Sequence, residues 1–283
     1  MPVVRGGLIG DHIGASCLSR ALELLGAGHG IEIAFIPIDT AERPDFDFNA
    51  CVNDKRASGW TGVTITHPWK PAAAAYAGSA MAPEVAALGA ANTLIFEPDL
   101  SGHNTDFSGF LSAWEAVMGG APGKVALAGA GGVARAIGPA LAKLGAERIF
   151  VWDPENTRAR ALAEQLGPVA EAIDMRNAPD AIRAADGLAN ATTLGMGYRG
   201  GTAFDPDLIG PQSWAFDAVY TPTDTAFLMA AGAAGLKILS GFDLFCHMAL
   251  GTFRLYSGAA PDPSSALPLL AQLRPRPEET ERA

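Results

Sequence analysis

The chain has 283 residues, 49% of them hydrophobic, enough for one large domain or two smaller ones around a sizeable core. Its formal charge of -10 argues against nucleic acid or an anionic membrane surface as a partner. The three cysteines, Cys17, Cys51 and Cys246, have spacings that suit neither a metal site nor a disulfide framework, and with no signal peptide or membrane-length apolar run they point to a cytoplasmic protein with reduced thiols.

In chain order, Val3 to Gly10 reads as a first strand ending in glycine, and Leu18 to Leu25 has helical spacing that stops near Gly26 and Gly28. Ile31 to Ile38 is a β-branched run and a second strand; Gly62 to Thr66 is a third, running into His67-Pro68-Trp69-Lys70. A proline at the head of a helix lacks only an N–H that would have no partner anyway, so a helix is expected to start here with Lys70 in its first turn. Leu88–Ile95 and Ser101–Asp106 read as polar loops beside short apolar runs. A helix from about Phe107 to Val117 leads to Gly119-Gly120-Ala121-Pro122-Gly123, a boundary before the next unit. Strands then alternate with helices. Strands are expected at Val125–Ala128, Arg148–Trp152, Gly187–Asn190, Trp214–Val219 and Lys237–Leu239. Helices are expected near 132–144, 157–166, 178–184, 226–234 and 242–256. The alternation predicts an α/β fold with mostly parallel sheets. A polar, proline-rich stretch over 275–283 reads as a mobile tail.

Within this order, Val125 to Ala136 is the most informative stretch. A small apolar strand runs into Gly129-Ala130-Gly131-Gly132-Val133-Ala134, which fits G-x-G-x-x-G/A. Gly129 allows the tight turn, Gly131 lets a pyrophosphate approach the backbone, and Ala134 lets helix and strand pack closely. The helix that follows aims unpaired N–H groups at the phosphates. Asp153 ends the next strand, about twenty residues on, where a carboxylate accepts hydrogen bonds from an adenosine ribose. An acid there disfavours a 2′-phosphate, so NAD is the expected cofactor. Arg158, just beyond, keeps NADP open.

A nucleotide unit does not name a reaction. Lys70 and Asp106 supply the candidate chemistry. A lysine at a helix start faces the positive end of the macrodipole, and such a lysine can exchange protons when a nearby aspartate orients it. Hydride transfer from an alcohol needs a group to take the hydroxyl proton. A plain surface salt bridge is the competing reading of the same two residues.

Several motifs occur together, in order: Gly7-Leu8-Ile9-Gly10, Thr64-Ile65-Thr66-His67-Pro68-Trp69-Lys70, Gly89-Ala90-Ala91-Asn92-Thr93, Gly102-His103-Asn104-Thr105-Asp106, the glycine turn, Asn190-Ala191-Thr192-Thr193-Leu194-Gly195-Met196 and Asp217-Ala218-Val219-Tyr220-Thr221-Pro222. In these the chain resembles the shikimate dehydrogenase family, particularly its quinate/shikimate members, from about Gly7 to Gly258. The resemblance implies two domains with the active site in the cleft between them. Residues 1–104 and 241–274 would form a substrate domain and 105–240 a Rossmann domain. It implies catalytic roles for Lys70 and Asp106, and substrate contacts from Ser16, Thr64, Thr66, Asn92, Tyr220 and Met248. Cofactor contacts would come from Gly129, Ala130, Gly131, Gly132, Val133, Asp153, Arg158, Thr192, Met196 and Gly241. The expected partner is a small hydroxy-carboxylate, with no metal; a homodimer is compatible with the sequence.

Three positions depart from the family pattern. Leu18 replaces a second hydroxyl after Ser16, with Ser19 as a neighbouring substitute. Thr64 replaces an asparagine, and Met248 replaces a glutamine after His247. All three fall on substrate groups, none on the Lys70–Asp106 pair. Losing a hydrogen bond to a charged carboxylate costs about 1.5–3 kcal/mol, so a less polar or differently substituted hydroxy acid is an alternative substrate. A nucleotide-binding regulatory protein without catalysis is a second alternative.

Overall fold

The computed structural model of the chain describes residues 1–197 and 200–275. The tail expected over 275–283 falls outside them, apart from Pro275. Two compact units are present, one formed by Met1–Gly109 and Cys246–Leu273, the other by Phe110–Phe245.

In the first unit, β1 (Val3–Gly10) lies in parallel between two strands. Helix α1 (Leu18–His29) turns Leu18, Ala21, Leu22 and Leu25 inward, a spacing that keeps them on one helical face. It ends at Gly30, whose φ of 66° suits a residue without Cβ. Strand β2 (Glu32–Asp39) pairs with β1 along its length. Helix α2 (Phe48–Ala57) is capped by Asp47, whose carboxylate accepts the Ala50 N–H. Strand β3 (Gly62–Ile65) is wholly buried on the other side of β1. Helix α3 (Lys70–Ala77) begins two residues later than a start at Pro68 would give. The His67–Pro68 bond is cis, and Pro71 is the proline that occupies the first turn. Strands β4 (Thr93–Ile95) and β5 (Ser101–His103) add antiparallel pairings, so the sheet is mixed, in the order β2-β1-β3-β4-β5. Helix α4 (Thr105–Val117) leads into the second unit.

The second unit holds a six-stranded parallel sheet. Its elements are β6 (Lys124–Ala128), α5 (Ala134–Lys143), β7 (Arg148–Trp152), α6 (Asn156–Leu166), β8 (Ala170–Ala172), α7 (Ala178–Ala184), β9 (Gly187–Asn190), β10 (Trp214–Asp217), α8 (Ala226–Ala233) and β11 (Lys237–Ser240). The strand order is β11-β10-β9-β6-β7-β8. The chain winds outward from β6 in one direction through β8, then returns and winds the other way from β9. The gap where direction reverses, at the carboxyl ends of β6 and β9, is the topological switch point of such a sheet. β6 is buried on both faces from Val125 to Ala128, as its apolar run requires. Trp214 packs edge-on against Trp114 at 4.8 Å and Phe216 against Phe110 at 4.9 Å. Each of these burials contributes about 1.5–3 kcal/mol. Helix α9 (Gly241–Ser257) starts in this unit and continues in the first; α10 (Pro263–Leu270) follows it.

Candidate active site

Lys70 Nζ donates to Asp106 Oδ2 at 2.6 Å, with the two side chains only 11% and 15% exposed. The pair is therefore largely withdrawn from water rather than a surface ion pair, and the lower local dielectric strengthens it. Lys70 is the first residue of α3, an unfavourable place for a cation, while Asp106 lies in the first turn of α4, where a helix favours an anion. The carboxylate thus compensates the lysine's poor position.

Three contacts aim this pair. Asn92 is buried; its Oδ1 accepts the Thr105 N–H at 2.7 Å, and the Asn92 amide nitrogen lies 2.9 Å from Thr105 Oγ1. Asn104 donates to the Ala90 carbonyl and accepts the Phe107 N–H, so it caps α4 just before Asp106. The Lys70 carbonyl accepts the Ala91 N–H at 3.0 Å, tying the start of α3 to the Asn92 loop. Asn92, expected as a substrate contact, thus also has the work of registering α4. Asn104 is a cap to which the sequence pattern assigns no role.

The other expected substrate residues in this unit are set as follows. Ser16 follows a turn whose His12 and Ile13 N–H groups donate to the Asp39 carboxylate; the amide of Ala41 and those two hold the carboxyl below its usual range. Ser16 Oγ accepts the Leu18 N–H at 3.3 Å. Leu18 is buried in the core face of α1. The Ser19 hydroxyl lies within hydrogen-bond distance of Glu23 Oε1 at 3.1 Å and of the Phe35 carbonyl at 3.4 Å, either of which can take its single proton. Thr66 is half-buried at the end of β3, its amide donating to Ile9 and its carbonyl accepting from Trp69. Thr64 is buried, with its hydroxyl 3.2 Å from the Tyr256 phenol; burial pushes that phenol's pKa up, so it stays protonated. Met248 is half-buried, and its sulfur accepts from Thr252 Oγ1 at 3.5 Å. Thr252 also reaches Thr105 Oγ1 at 3.1 Å.

In the second unit the glycine turn sits at the carboxyl end of β6. Gly129 has φ 93° and would place a Cβ 2.9 Å from the Ala191 carbonyl oxygen, so only glycine fits there. A Cβ on Gly131 or Gly132 would meet nothing within 4 Å, which leaves an open cradle at the head of α5. Val133 is the residue before α5, and its carbonyl accepts the Ala136 and Ile137 N–H groups. Asp153 Oδ2 accepts the Ala130 N–H at 2.9 Å and Oδ1 the Glu155 N–H at 2.9 Å, so this acid braces the turn. Arg158 is exposed and paired to Glu155 at 2.7 Å. The open cradle, the helix N-terminus and the acid beyond β7 together fit a dinucleotide.

Past β9 and β10, Thr192 donates its hydroxyl to Asn190 Oδ1 at 2.7 Å, and the Met196 N–H reaches the Thr193 carbonyl. Tyr220 is half-buried and stacks on Phe245 at 5.6 Å. Gly241 is buried at the start of α9, where a Cβ would lie 2.5 Å from the Ala218 carbonyl oxygen. Between these loops lies Asp217, fully buried, which belongs to one of the sequence motifs but has no role assigned by it.

The strand order, the open glycine cradle and the acid at the end of β7 define a dinucleotide-binding protein of the Rossmann class, joined to a second α/β unit that carries a buried lysine–aspartate pair. A family model described as the shikimate dehydrogenase substrate binding domain matches residues 8–94. A quinate/shikimate dehydrogenase (NAD(+)) of Corynebacterium efficiens is 36% identical over 266 residues, covering 90% of this chain and 93% of that one. Among solved structures, a quinate dehydrogenase of Corynebacterium glutamicum in complex with NAD aligns with a TM-score of 0.88 at 32% identity, over 96% of this chain and all of that one. A shikimate 5-dehydrogenase of Thermus thermophilus, in complex with NADP(H) and shikimate, aligns with a TM-score of 0.83 at 31% identity, over 95% and 99% of the two chains. The chain belongs to the shikimate dehydrogenase family.

Among the described residues, no helix is long and apolar enough to cross a membrane.

Proposed function

We propose that this chain is an NAD-dependent oxidoreductase acting on a ring hydroxyl of a cyclohexane or cyclohexene carboxylate of the quinate/shikimate type. The single observation that carries the chemistry is the 2.6 Å contact between Lys70 and Asp106 in a largely buried setting. Bound NAD supplies the hydride acceptor. In the oxidising direction, for which bound NAD would accept the hydride, neutral Lys70 takes the hydroxyl proton; in the reducing direction, for which bound NADH would supply the hydride, the Lys70 ammonium returns that proton to the substrate oxygen. Asp106 holds Nζ in place and stabilises the ammonium. Ser16, Thr66 and Asn92 hold carboxylate and hydroxyl groups of the ring. The Gly129–Val133 turn receives the pyrophosphate, and Asp153 faces the ribose. A binding-only sensor has no use for a buried, registered Lys70–Asp106 pair. The odd number and the spacing of Cys17, Cys51 and Cys246 suit a reducing compartment, and we read the enzyme as cytoplasmic.

One observation favours a shifted substrate preference. The Thr64 hydroxyl faces the buried Tyr256 phenol, Leu18 lies in the core, and Met248 turns its sulfur to Thr252. Leu18 is withdrawn into the core, and Met248 and Thr64 are engaged internally, so the polar contacts of the family pattern are missing at all three positions. A steady-state comparison of shikimate, quinate and less hydroxylated ring acids, read as reduced nicotinamide absorbance, ranks them. A kcat/KM for shikimate above all less polar acids would end that part of the reading. Lys70→Ala is expected to lower kcat by about 10²–10⁴-fold, with the NAD Kd changed less than about twofold. A mutant turning over at the wild-type rate removes the proton-transfer role.

A further inference from the structure

Asp217 closes β10, and its carboxylate is fully buried. Three donors converge on it. Asn190 Nδ2 and the Val219 N–H reach Oδ1 at 2.9 and 3.0 Å, and the Thr225 hydroxyl reaches Oδ2 at 2.6 Å. No cation joins them among the ion pairs of the described residues. A buried carboxylate without a countercharge is expensive, and an apolar or amide side chain would be a more stable choice for packing alone.

The network explains what the carboxylate does. A carboxylate only accepts hydrogen bonds. It therefore forces the Asn190 amide to point Nδ2 toward it, which leaves Asn190 Oδ1 to face the other way. That oxygen accepts both the N–H and the hydroxyl of Thr192, at 2.9 and 2.7 Å, and Nδ2 also reaches the Leu194 carbonyl. The conformation of the loop after β9 is thus set by the polarity of Asp217. The Val219 N–H fixes the loop after β10, which carries Tyr220 and presents the carbonyls of Ala218 and Val219 to Gly241 at the head of α9. Thr225 in turn caps α8 by accepting the Leu228 N–H at 3.2 Å.

These two loops have a defined place relative to the dinucleotide cradle. The pyrophosphate cradle lies on β6 and the ribose acid on β7, one strand to one side. β9 and β10 are the next strands on the opposite side. A dinucleotide laid across the switch point with its adenosine over β7 carries its nicotinamide half toward the loops after β9 and β10.

We propose that Asp217 is a positioning residue for the nicotinamide half of NAD: through Asn190 and Val219 it holds the two loops that receive that half, and it does not touch the cofactor itself. This rests on the dehydrogenase reading given above. An amide at 217 cannot accept from all three donors, so one of the bonds must reverse or break, and the Asn190 amide loses its enforced orientation.

The test compares NAD with AMP, which carries only the adenosine half. In Asp217→Asn, the NAD Kd is expected to rise about tenfold or more while the AMP Kd stays within about twofold of wild type, with no fall in melting temperature at neutral pH. Thr225→Val removes the cap of α8 and the donor to Asp217 Oδ2 but leaves the Asn190 and Val219 bonds to Oδ1, so it is expected to lower the melting temperature while leaving the NAD Kd within about twofold. Amide hydrogen exchange on the unaltered enzyme gives a measurement independent of folding defects: saturating NAD should slow exchange in segments 190–197 and 217–222. Equal loss of NAD and AMP binding, unchanged NAD binding in Asp217→Asn, or no exchange protection in those segments overturns the assignment. A wild-type protein that binds neither NAD nor NADP overturns the dehydrogenase reading and this assignment with it.

Discussion

Asp153 has both carboxylate oxygens engaged by backbone amides, those of Ala130 and Glu155. It tethers the glycine turn, and in the proposed function its negative charge would repel a 2′-phosphate, two effects that a single substitution to alanine would confuse. Asn at this position keeps an oxygen for one amide and removes the charge. Asp153→Asn is expected to raise affinity for NADP and to lower affinity for NAD by less than about tenfold. Asp153→Ala also leaves the Ala130 N–H without its acceptor and should weaken both dinucleotides, by the ~1.5–3 kcal/mol typical of a hydrogen bond to a charged group. Titration of each variant with NAD and NADP checks both. An unchanged preference in Asp153→Asn removes the residue from cofactor discrimination. Arg158 reinforces this logic, because its pairing with Glu155 at 2.7 Å competes with any recruitment to a phosphate.

A turn can be required by the fold or by the ligand, and the glycine turn after β6 contains both cases. Gly129 has φ 93° and faces the Ala191 carbonyl, so a methyl there strains the protein with or without cofactor. Strain of this kind is worth about 1–3 kcal/mol, and Gly129→Ala is expected to lower the melting temperature by several degrees. Gly131 has open space around its missing Cβ. Gly131→Ala should melt like wild type yet bind NAD at least about tenfold more weakly, because the methyl occupies the approach of the pyrophosphate. Wild-type NAD affinity in Gly131→Ala would take this turn out of the cofactor site. The same contrast shows what is legible in the sequence. Apolar runs such as Val125–Ala128 declare themselves as strands, since burial on both faces leaves no alternation to misread; in Val3–Gly10 this holds only from Gly6 onward. Helix α2 escapes a sequence reading because only Phe48 and Val52 of its residues are buried, too few to mark a face. Strands β4 and β5 have three residues each and pair across a loop, so they look like polar connections. Lys70 and Asp106 stand out as a candidate pair from the lysine's place at a helix start, and the order of the motifs weighs against a plain surface salt bridge. Their setting by Asn92, Asn104 and Thr105, and the facing of Thr64 by Tyr256, depend on contacts between distant segments that no local pattern encodes.

For the molecule as a whole, the buried Asp217 carboxylate couples stability to pH in a direction opposite to that of its surface acids. Burial raises the Asp217 pKa from 3.8 to about 6, partly offset by its bonds from Thr225, Val219 and Asn190. Between pH ~4 and ~6 the folded protein therefore holds a proton on this group that the unfolded chain has released. Stability from this group is fully present below pH ~4 and is lost as pH rises through ~6, by roughly 3 kcal/mol for a shift of about two units. Asp39, Asp174 and Asp262 have pKa values lowered by hydrogen bonds, so their contribution runs the other way and is lost only as pH falls below the ordinary carboxylate range. The windows do not coincide, which makes the Asp217 contribution separable. Melting curves of wild type and Asp217→Asn, both without NAD, are expected to diverge as pH rises from about 4.5 to about 6.5. The variant should gain about 5 °C relative to wild type over that span, given the few degrees that each kcal/mol is worth in a chain of this size. Curves that stay parallel across the interval would mean that the carboxylate titrates at an ordinary value. The three donors around it would then fully offset its burial.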